Sequence, residues 1–390
     1  MTTYTTPLSL AEQLIARSSY VDATSDESQA LAFLADYLLA RFPEMKLEKQ
    51  YLENSRRYNL ILRGNNKPKL FVLGHIDTVQ PKDGWQTDPL VPTVQQGKLY
   101  GLGAADMKSS LAAFLWALEE EKRNISLDDV MLLIYVDEEY DFQGIRRFVK
   151  DKAVSVILPQ LTLSLDGELA VGTGCRGLME MTFVAMGKSG HAANPTNGVN
   201  AITESMAAIA ELQQMLGDFA DDDLGSTTLN VAAIRGGSRR IDSDGEVSWL
   251  EEGNVIANGA RIVLEVRPSV PAVNAAYVKA RLKTLLEQRG LELTEITVRH
   301  DITPWSASRD AYTLKLLRKV YAQAEVPFRT SDRKLQGYID AQMVAERVAA
   351  PTFIIGTGGE NKHGADENVP LQNIENAARI YHALLREVLS

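Results

Sequence analysis

A histidine and an aspartate at neighbouring alternate positions are the first residues whose types and spacing suggest chemistry. His75 and Asp77 follow an apolar run that begins at Leu70, which predicts a buried strand ending at this pair. Side chains two apart on an extended strand leave on the same face. A histidine that ligates a metal usually donates its second ring N–H to a carboxylate or carbonyl. The pair is therefore a candidate ligand with its orienting group, and a polar strand end without function is the alternative.

A glycine-rich turn that carries an aspartate follows at residues 100–108 (YGLGAADMK). Gly101 and Gly103 resemble the start of a dinucleotide-binding fingerprint, but Asp106 stands where that fingerprint needs a third glycine. A carboxylate aimed at a pyrophosphate would repel it. We therefore interpret Asp106 as a candidate metal ligand on a tight turn. An Ala- and Leu-rich stretch from Ser109 predicts a buried helix directly after it.

These motifs together resemble one family of enzymes. Residues 74–79 (GHIDTV) and 97–108 (GKLYGLGAADMK) are similar to the co-catalytic zinc metallohydrolases, which include acetylornithine deacetylase, succinyl-diaminopimelate desuccinylase, aminoacylase and the glutamate carboxypeptidases. Residues 100–108 are most similar to the acetylornithine deacetylases. The resemblance covers nearly the whole chain. It implies a homodimeric hydrolase that cleaves the amide bond of an N-acyl amino acid, with a dipeptidase or carboxypeptidase as the alternative.

Composition and charge agree with an ordinary globular protein that has an acidic surface. The 390-residue chain is 45% hydrophobic and 24% charged, and its net charge is −10. This charge argues against nucleic acid and anionic membranes as partners. The single cysteine, Cys175, fits a reducing cytoplasm. We see neither a signal-peptide pattern nor an apolar run near the ~20 residues of a membrane span, so a cytoplasmic enzyme is expected.

The order of strand and helix patterns predicts two domains. Strands alternate with helices in the first part of the chain, which predicts an α/β catalytic domain with a mixed sheet and helices on both faces. Function in such sheets is located at the carboxyl ends of strands. A β-α-β-β-α-β order then describes an inserted α+β domain, to which the resemblance assigns lid and dimerisation roles. The predicted segments are 1–177 and 301–390 for the catalytic domain and 178–300 for the insertion.

A helix is also predicted near the N-terminus, from about Asp26 to Arg41. Thr24 or Ser25 is the expected N-cap. Thr24 and Glu27 have the spacing of a capping box, in which each side chain accepts a hydrogen bond from the other residue's backbone.

Three consecutive acidic residues, Asp137, Glu138 and Glu139, follow the apolar run MLLIYV. In open solution they would repel one another, and a solvated loop is the simplest interpretation. At the end of a buried strand, however, unpaired charge is costly without a compensating cation. Two zinc ions would supply the compensating positive charge. By resemblance, Glu138 corresponds to the general base of the family and Glu139 to a metal ligand.

Another acidic candidate follows the apolar run at 154–165, where the family has an acidic ligand. We favour Asp166 because it lies nearest to the predicted strand end. Glu168 stays open as the alternative ligand, and so does an Asp-Gly turn without function.

The glycine-rich segment 356–367 resembles the family loop that ends in a ligand histidine, here His363, followed by an acidic residue and a glutamate. The resemblance implies two zinc ions per subunit, with cobalt or manganese as substitutes. It implies that Asp106 bridges the two ions and that a cis peptide bond follows it. The implied ligands of the first ion are His75, Asp106 and Asp166, and those of the second are Asp106, Glu139 and His363.

The resemblance also assigns roles in catalysis. Two metal ions lower the pKa of a shared water to about 7, and Glu138 would take its proton and pass it to the leaving amine. Asp77 is also a catalytic candidate, because it would contact and orient His75. In the inserted domain, His191 follows the motif Gly-Lys-x-x-His, and the family's histidine polarises the scissile carbonyl in a neighbouring subunit. Without the resemblance to the family, a histidine in a loop is more often a surface residue that has no catalytic role.

Asn254 and Arg267 also match the family and would bind the α-carboxylate of the substrate. A planar guanidinium suits bidentate carboxylate recognition, although a surface arginine on a strand is the alternative. From a different functional class, an inactive dimeric binding protein would lack one of the ligands. A serine or cysteine hydrolase is disfavoured, because no Gly-x-Ser-x-Gly elbow occurs and Cys175 has no evident base.

Overall fold

The computed structural model describes residues 6–64, 67–151, 158–241, 243–244, 247–307, 311–334, 337–348 and 350–390. The strands are β1 (Lys46–Tyr51), β2 (Tyr58–Arg63), β3 (Leu70–His75), β4 (Thr93–Gln95), β5 (Lys98–Tyr100), β6 (Val130–Tyr135), β7 (Leu161–Ser164), β8 (Gly174–Cys175), β9 (Leu178–Met186), β10 (Ala220–Asp221), β11 (Gly225–Ser226), β12 (Thr228–Ile241), β13 (Val247–Leu250), β14 (Gly259–Arg267), β15 (Glu292–Ile302), β16 (Trp305–Ser306), β17 (Thr352–Ile354) and β18 (Asn368–Pro370). The α-helices are α1 (Pro7–Ile15), α2 (Ser28–Arg41), α3 (Ser109–Glu121), α4 (Gln143–Val149), α5 (Ala201–Gly217), α6 (Ala275–Gln288), α7 (Ala311–Gln323), α8 (Ala341–Ala345) and α9 (Leu371–Leu389).

The chain divides into two compact units. The first comprises Met1–Thr173, Ala307–Asp332 and Ile339–Ser390, and the second comprises Gly174–Ser306 and Arg333–Tyr338. The chain therefore changes unit a few residues before the expected boundary at 177 and a few after the one at 300. Antiparallel pairing of β8 with β16 places the entry and exit strands of the second unit side by side.

A six-stranded mixed sheet in the order β1-β2-β6-β3-β7-β17 forms the centre of the first unit, which confirms the predicted fold class. The neighbours β6, β3, β7 and β17 are parallel, whereas β1 and β2 pair antiparallel at one edge. Every residue of β3, β6 and β7 is buried, as expected for parallel strands covered on both faces. The helices α1, α3, α7 and α9 pack against one another, and α4 packs against α8.

The register of the parallel strands brings several strand ends to one edge of this sheet. His75, the last residue of β3, is paired with Tyr135, the last residue of β6. On the other side, Leu73 of β3 is paired with Ser164, the last residue of β7. The acidic residues that follow β6 and β7 therefore emerge beside His75. The predicted strand at 154–165 is observed as β7 only, and residues 152–157 lie outside the described residues.

The expected cap of the second helix is wrong. Helix α2 begins at Ser28, and its N-cap residue, Glu27, makes no capping hydrogen bond through its side chain. The Glu27 carboxylate, which is 1% exposed, instead accepts hydrogen bonds from the Arg57 guanidinium. Thr24 and Ser25 precede this helix start by four and three residues, and their hydroxyls hydrogen-bond to Asp22 and Ser18 instead.

The second unit contains a five-stranded antiparallel sheet in the order β13-β12-β14-β9-β15. The predicted β-α-β-β-α-β order corresponds to β9, α5, β12, β14, α6 and β15, and β13 extends the sheet beyond β12. Helices α5 and α6 pack against each other and share a separate apolar core with the sheet. Among the described helices of both units, none has the length and apolar character that a membrane span requires.

Candidate metal centre

Two groups of three side chains in the first unit bring possible metal ligands together, with the ligand atoms of each group within 4.8 Å of one another. The first group is His75, Asp106 and Asp166, and the second group is Asp106, Glu139 and His363. Asp106 belongs to both groups, which is the arrangement that a bridging carboxylate requires. Glu138 lies at the same place, since it forms a further such group with His75 and Glu139.

The two oxygens of Asp106 face different histidines. Oδ1 lies 3.2 Å from Nε2 of His75, and Oδ2 lies 3.6 Å from Nε2 of His363. The same His363 nitrogen is 3.0 Å from Oε2 of Glu139. His75 is fully buried whereas 53% of the His363 side chain is exposed, so the second group lies on the open side of the centre.

The donor set fits divalent cations. Zinc binds imidazole nitrogen and carboxylate oxygen at about 2.0–2.2 Å, so two ligands of one ion lie about 3–4 Å apart. The separations within both groups, 3.0–3.6 Å where an ion pair is formed, match this requirement. Mixed imidazole and carboxylate ligands suit zinc and, less strongly, cobalt or manganese. These residues would therefore hold two cations that share Asp106.

The electrostatics of the cluster also favour cations. Burial raises the pKa of Asp166 and of Glu139, and the neighbouring Asp106 carboxylate raises both further. Burial acts on Asp106 in the same direction, but Lys362, His363 and His75 outweigh it and hold its pKa well below the usual range. The adjacent carboxylates of Asp106 and Glu139 raise the pKa of His363 to about 10. Bound divalent cations would lower the pKa values of Asp166, Glu139 and His363 and would keep that of Asp106 low.

Asp77 connects the two groups. Nδ1 of His75 lies 3.0 Å from the main-chain oxygen of Asp77 and 3.6 Å from its carboxylate Oδ1. The other carboxylate oxygen of Asp77 accepts a 3.0 Å hydrogen bond from the backbone N–H of Glu139. The main-chain carbonyl is thus the nearer partner of the histidine ring. The carboxylate places a ligand of the second group.

Asp166 and Glu168, the two alternatives for the fifth ligand, occupy different environments. Asp166 is 8% exposed and its carboxylate belongs to the first group. Glu168 is exposed and belongs to none of the groups found among the described residues. The chain therefore brings the Asp166 carboxylate into the first group, whereas Glu168 contributes to none of the groups.

Glu367 is a buried residue whose contacts the sequence motif did not indicate. Its buried carboxylate accepts hydrogen bonds from three backbone N–H groups of the turn, those of Gly103 (2.9 Å), Ala105 (2.8 Å) and Asp106 (3.0 Å). The peptide bond between Asp106 and Met107 is cis, as the resemblance implied. Glu367 therefore holds the turn that aims the shared ligand, and burial raises its own pKa to about 7.

A second buried acidic residue, Asp340, interacts electrostatically with Glu138. The Tyr135 hydroxyl donates a 2.5 Å hydrogen bond to Oδ1 of Asp340, which is fully buried. Oδ2 of Asp340 has no hydrogen-bond partner in the described chain. Burial raises the pKa of Asp340 to about 7 and raises the pKa of Glu138 well above its usual value, with a further contribution from the Asp340 charge. Asp340 is the N-cap residue of the short helix α8.

Asp137, the first of the three acidic residues, is buried and held by hydrogen bonds within the protein. It is 3% exposed, and its Oδ1 accepts a 2.9 Å hydrogen bond from Arg57. Its Oδ2 accepts a hydrogen bond from the backbone N–H of Gln143. Asp137 has a left-handed φ of 67°. The Arg57 guanidinium, which also binds Glu27, therefore anchors the loop that carries Glu138, and the solvated-loop interpretation is wrong for Asp137.

The remaining predicted residues belong to the second unit. His191 is exposed, and its Nδ1 accepts a 3.1 Å hydrogen bond from the backbone N–H of Ala193. Asn254 is also exposed, and its backbone segment pairs with that of His191. Arg267 donates a 2.8 Å hydrogen bond from Nε to Glu265, two residues before it on β14. Glu265 and Arg267 are two residues apart on one strand, so their side chains leave on the same face. This spacing can be read from the sequence.

Comparison with known proteins identifies the family and the fold of the chain. The model of peptidase family M20/M25/M40 matches residues 71–387. A succinyl-diaminopimelate desuccinylase of Nitrosomonas eutropha is 29% identical over 98% of both chains. Among solved structures, a Staphylococcus aureus tripeptidase has a TM-score of 0.77 at 22% identity, covering 98% of this chain and 97% of that one. A dinuclear metal binding peptidase of Bacillus subtilis has a TM-score of 0.68 at 13% identity, covering 98% and 97%.

Proposed function

We propose that this chain, which belongs to peptidase family M20/M25/M40, cleaves the amide bond of an N-acyl amino acid. Family membership makes it a metal-dependent hydrolase that acts on amides. The observation that supports the proposal most strongly is Asp106, whose two oxygens face different histidines. The names of the curated relatives favour an acylated diamino acid as substrate, and the motif at 100–108 favours acetylornithine; both are N-acyl amino acids.

The proposed cofactor is a pair of zinc ions, with cobalt or manganese as substitutes. His75, Asp106 and Asp166 would hold one ion, and Asp106, Glu139 and His363 the other. When bound, such ions supply Lewis acidity and a water of lowered pKa. All five ligand candidates lie in the two groups, which argues against the inactive binding protein.

The residues around the ligands would then divide the work of catalysis. Glu138 is the proposed general base: it takes a proton from the attacking water and returns it to the leaving amine. Asp77 would keep the His75 ring in place through its carbonyl, and Glu367 would keep Asp106 aimed. Misplacement of any ligand by about 1 Å costs activity strongly, so these contacts matter for rate.

The second unit would contribute substrate binding. We propose that the enzyme is a homodimer and that His191 stabilises the oxyanion that forms on the amide carbonyl. Asn254 and Arg267 would bind the α-carboxylate, for which the Arg267 guanidinium has to release or share Glu265. His191→Ala should lower the rate without loss of bound metal, and a metal-depleted variant would contradict this role. The expected cytoplasmic location stays a prediction.

A peptidase that acts on short peptides is the second candidate, because the fold of a tripeptidase matches nearly the whole chain. The experiment that separates the two candidates is a substrate panel at neutral pH with added zinc or cobalt. It contains N-acetyl-L-ornithine, N-succinyl-L,L-diaminopimelate, other N-acyl amino acids, dipeptides and tripeptides. We expect at least one acyl amino acid to be hydrolysed with a kcat/KM at least 10-fold above every peptide. Hydrolysis of peptides alone would contradict the proposal.

A further inference from the structure

Lys362 is a cation inside the carboxylate cluster that the proposed ligands leave unexplained. It directly precedes His363, and its Nζ lies 3.6 Å from Oδ2 of Asp106 and 3.9 Å from Oδ1 of Asp166. These are ion-pair distances, and both are longer than a hydrogen bond. Within the described chain, Nζ has no hydrogen-bond acceptor within 3.5 Å. An ammonium group carries three N–H donors, so Lys362 has donors to offer to a ligand.

The backbone on both sides of Lys362 is held in place. Glu360 and Asn368 exchange two backbone hydrogen bonds, of 2.8 and 3.1 Å, across the base of the loop. Inside the loop, the N–H of Gly364 donates to the carbonyl of Asn361 at 2.9 Å. The lysine stem is the adjustable part, because it has four flexible carbons and its side chain is 32% exposed.

The charge of the surroundings identifies the kind of ligand. Asp106, Asp166, Glu138 and Glu139 surround the reacting centre, and two divalent cations would balance these four carboxylates. A cation held by Asp106 and Asp166 would also repel the ammonium from them. The charges of Glu168 and Glu367 act on Lys362 as well, but in the described chain neither carboxylate forms an ion pair with Nζ within 4.0 Å, so the ammonium could take another anion. A substrate that carries a carboxylate near its scissile amide would supply such an anion.

We propose that Lys362 binds a carboxylate of the substrate and thereby selects for anionic N-acyl amino acids. This inference rests on the proposed function. The carboxylate has two possible sources: the end of a dicarboxylic acyl chain, as in an N-succinyl group, or the α-carboxylate of the amino acid. A charge-assisted hydrogen bond in such a site contributes about 1.5–3 kcal/mol, which corresponds to a factor of about 10–150 in kcat/KM.

The test compares three variants on matched substrates. Lys362→Met removes the charge and keeps the stem, Lys362→Arg keeps the charge, and Lys315→Met removes a charge from an exposed lysine on α7. One substrate pair is the N-succinyl and N-butanoyl derivative of the same amino acid. The other is an N-acyl amino acid and its α-carboxamide. Metal content is measured for every variant.

We expect Lys362→Met to lower kcat/KM at least 10-fold for the charged member of one pair and less than 3-fold for its neutral partner. Lys362→Arg should restore part of the loss, and Lys315→Met should change nothing. The pair that responds identifies the source of the carboxylate. An equal loss on all substrates, no loss on any, or loss of bound metal would each overturn the proposal.

Binding of the products provides a test that needs no turnover. By calorimetry, we expect the wild-type holoenzyme to bind succinate or the free amino acid more tightly than the neutral analogue of the same product, and Lys362→Met to abolish that difference. If the wild type hydrolyses no acyl amino acid, the proposed function fails. The carboxylate preference in binding then still decides the role of Lys362, since its absence in the wild type overturns that role.

Discussion

Oε1 of Glu367 accepts a 3.0 Å hydrogen bond from the backbone N–H of Asp106, although 261 residues separate them in the chain. The contact joins the last loop of the first unit to the turn that presents the shared ligand. It explains how two distant motifs are held at one centre. Asp106 would bind metal, whereas Glu367 would position the turn that carries Asp106.

Replacing Glu367 tests this positioning. Glu367→Gln offers one acceptor oxygen where three backbone N–H groups now have two, so the turn should loosen. Loss of an outer partner of this kind typically costs 10–100-fold in metal affinity or activity, and we expect about that loss of zinc affinity. Chelator competition measures it. The matched control is Glu375→Gln on the exposed face of α9, and equal affinities in the two variants would contradict the role.

Arg57 should contribute strongly to the stability of the fold. Arg57→Met leaves the carboxylates of Glu27 and Asp137 buried without their cation. Breaking a buried ion pair on one side costs about 3–5 kcal/mol of unfolding free energy. Urea unfolding followed by circular dichroism measures it, with the exposed Arg56→Met as control. A loss below 0.5 kcal/mol, on the order of an ordinary surface substitution, would show that the pair is not stabilising.

Glu121 should make stability depend on pH in acid. Burial acts to raise its pKa, but hydrogen bonds from Arg386, His382 and Asn124 outweigh burial and lower the pKa to about 2. The folded form therefore releases this proton more readily than the unfolded form, whose pKa is near 4.5. The resulting stabilisation is fully present above pH 4.5 and disappears as the pH falls toward 2.

The magnitude follows from the shift, at about 1.4 kcal/mol per pKa unit, and amounts to about 3 kcal/mol. Glu121→Gln should lose this contribution, so its unfolding free energy should fall less steeply between pH 4.5 and 2 than that of the wild type. Thermal or urea unfolding at several pH values measures the slope. The exposed Glu120→Gln should retain the wild-type slope; parallel curves for the wild type and Glu121→Gln would contradict the prediction.

Substitutions of Glu138 and Glu139 should affect different properties: the first should affect catalysis and the second metal binding. Glu138→Gln removes the proposed base and should lower kcat by about 10²–10⁴, with two metal ions retained. Glu139→Gln weakens a ligand of the second group and should lose metal from that group. Elemental analysis beside the activity assay distinguishes them. Equal metal content in both variants would mean that the roles of the two neighbours are misassigned.

Much of this centre was visible in the sequence because its residues follow apolar strands. His75, the acidic run after β6 and Asp166 each come at or just after the end of a strand, and parallel strands bring such ends to one edge. The histidine of the final loop required the family resemblance. The choice of Asp166 over Glu168 depended on distance from the strand end, a criterion that agrees with their burial.

The positioning residues could not be predicted in this way. Glu367 binds backbone N–H groups, which exist at nearly every residue and leave no pattern in the sequence. The Tyr135–Asp340 hydrogen bond joins residues 205 positions apart, and neither residue stands in a motif. Arg57 looks like an ordinary charged residue between two strands until Glu27 and Asp137 are placed beside it. Such contacts are tertiary, so local pattern and spacing do not encode them.

We propose that Asp106 is shared by two metal ions in a single catalytic centre. Metal titration of the apoenzyme by calorimetry, checked by elemental analysis, tests it most directly on the wild type, Asp106→Asn and the exposed control Asp128→Asn. We predict two zinc ions per chain for the wild type and the control, and loss of both high-affinity sites together with activity in Asp106→Asn. A single ion in the active wild type, or two tightly bound ions in Asp106→Asn, would contradict the account.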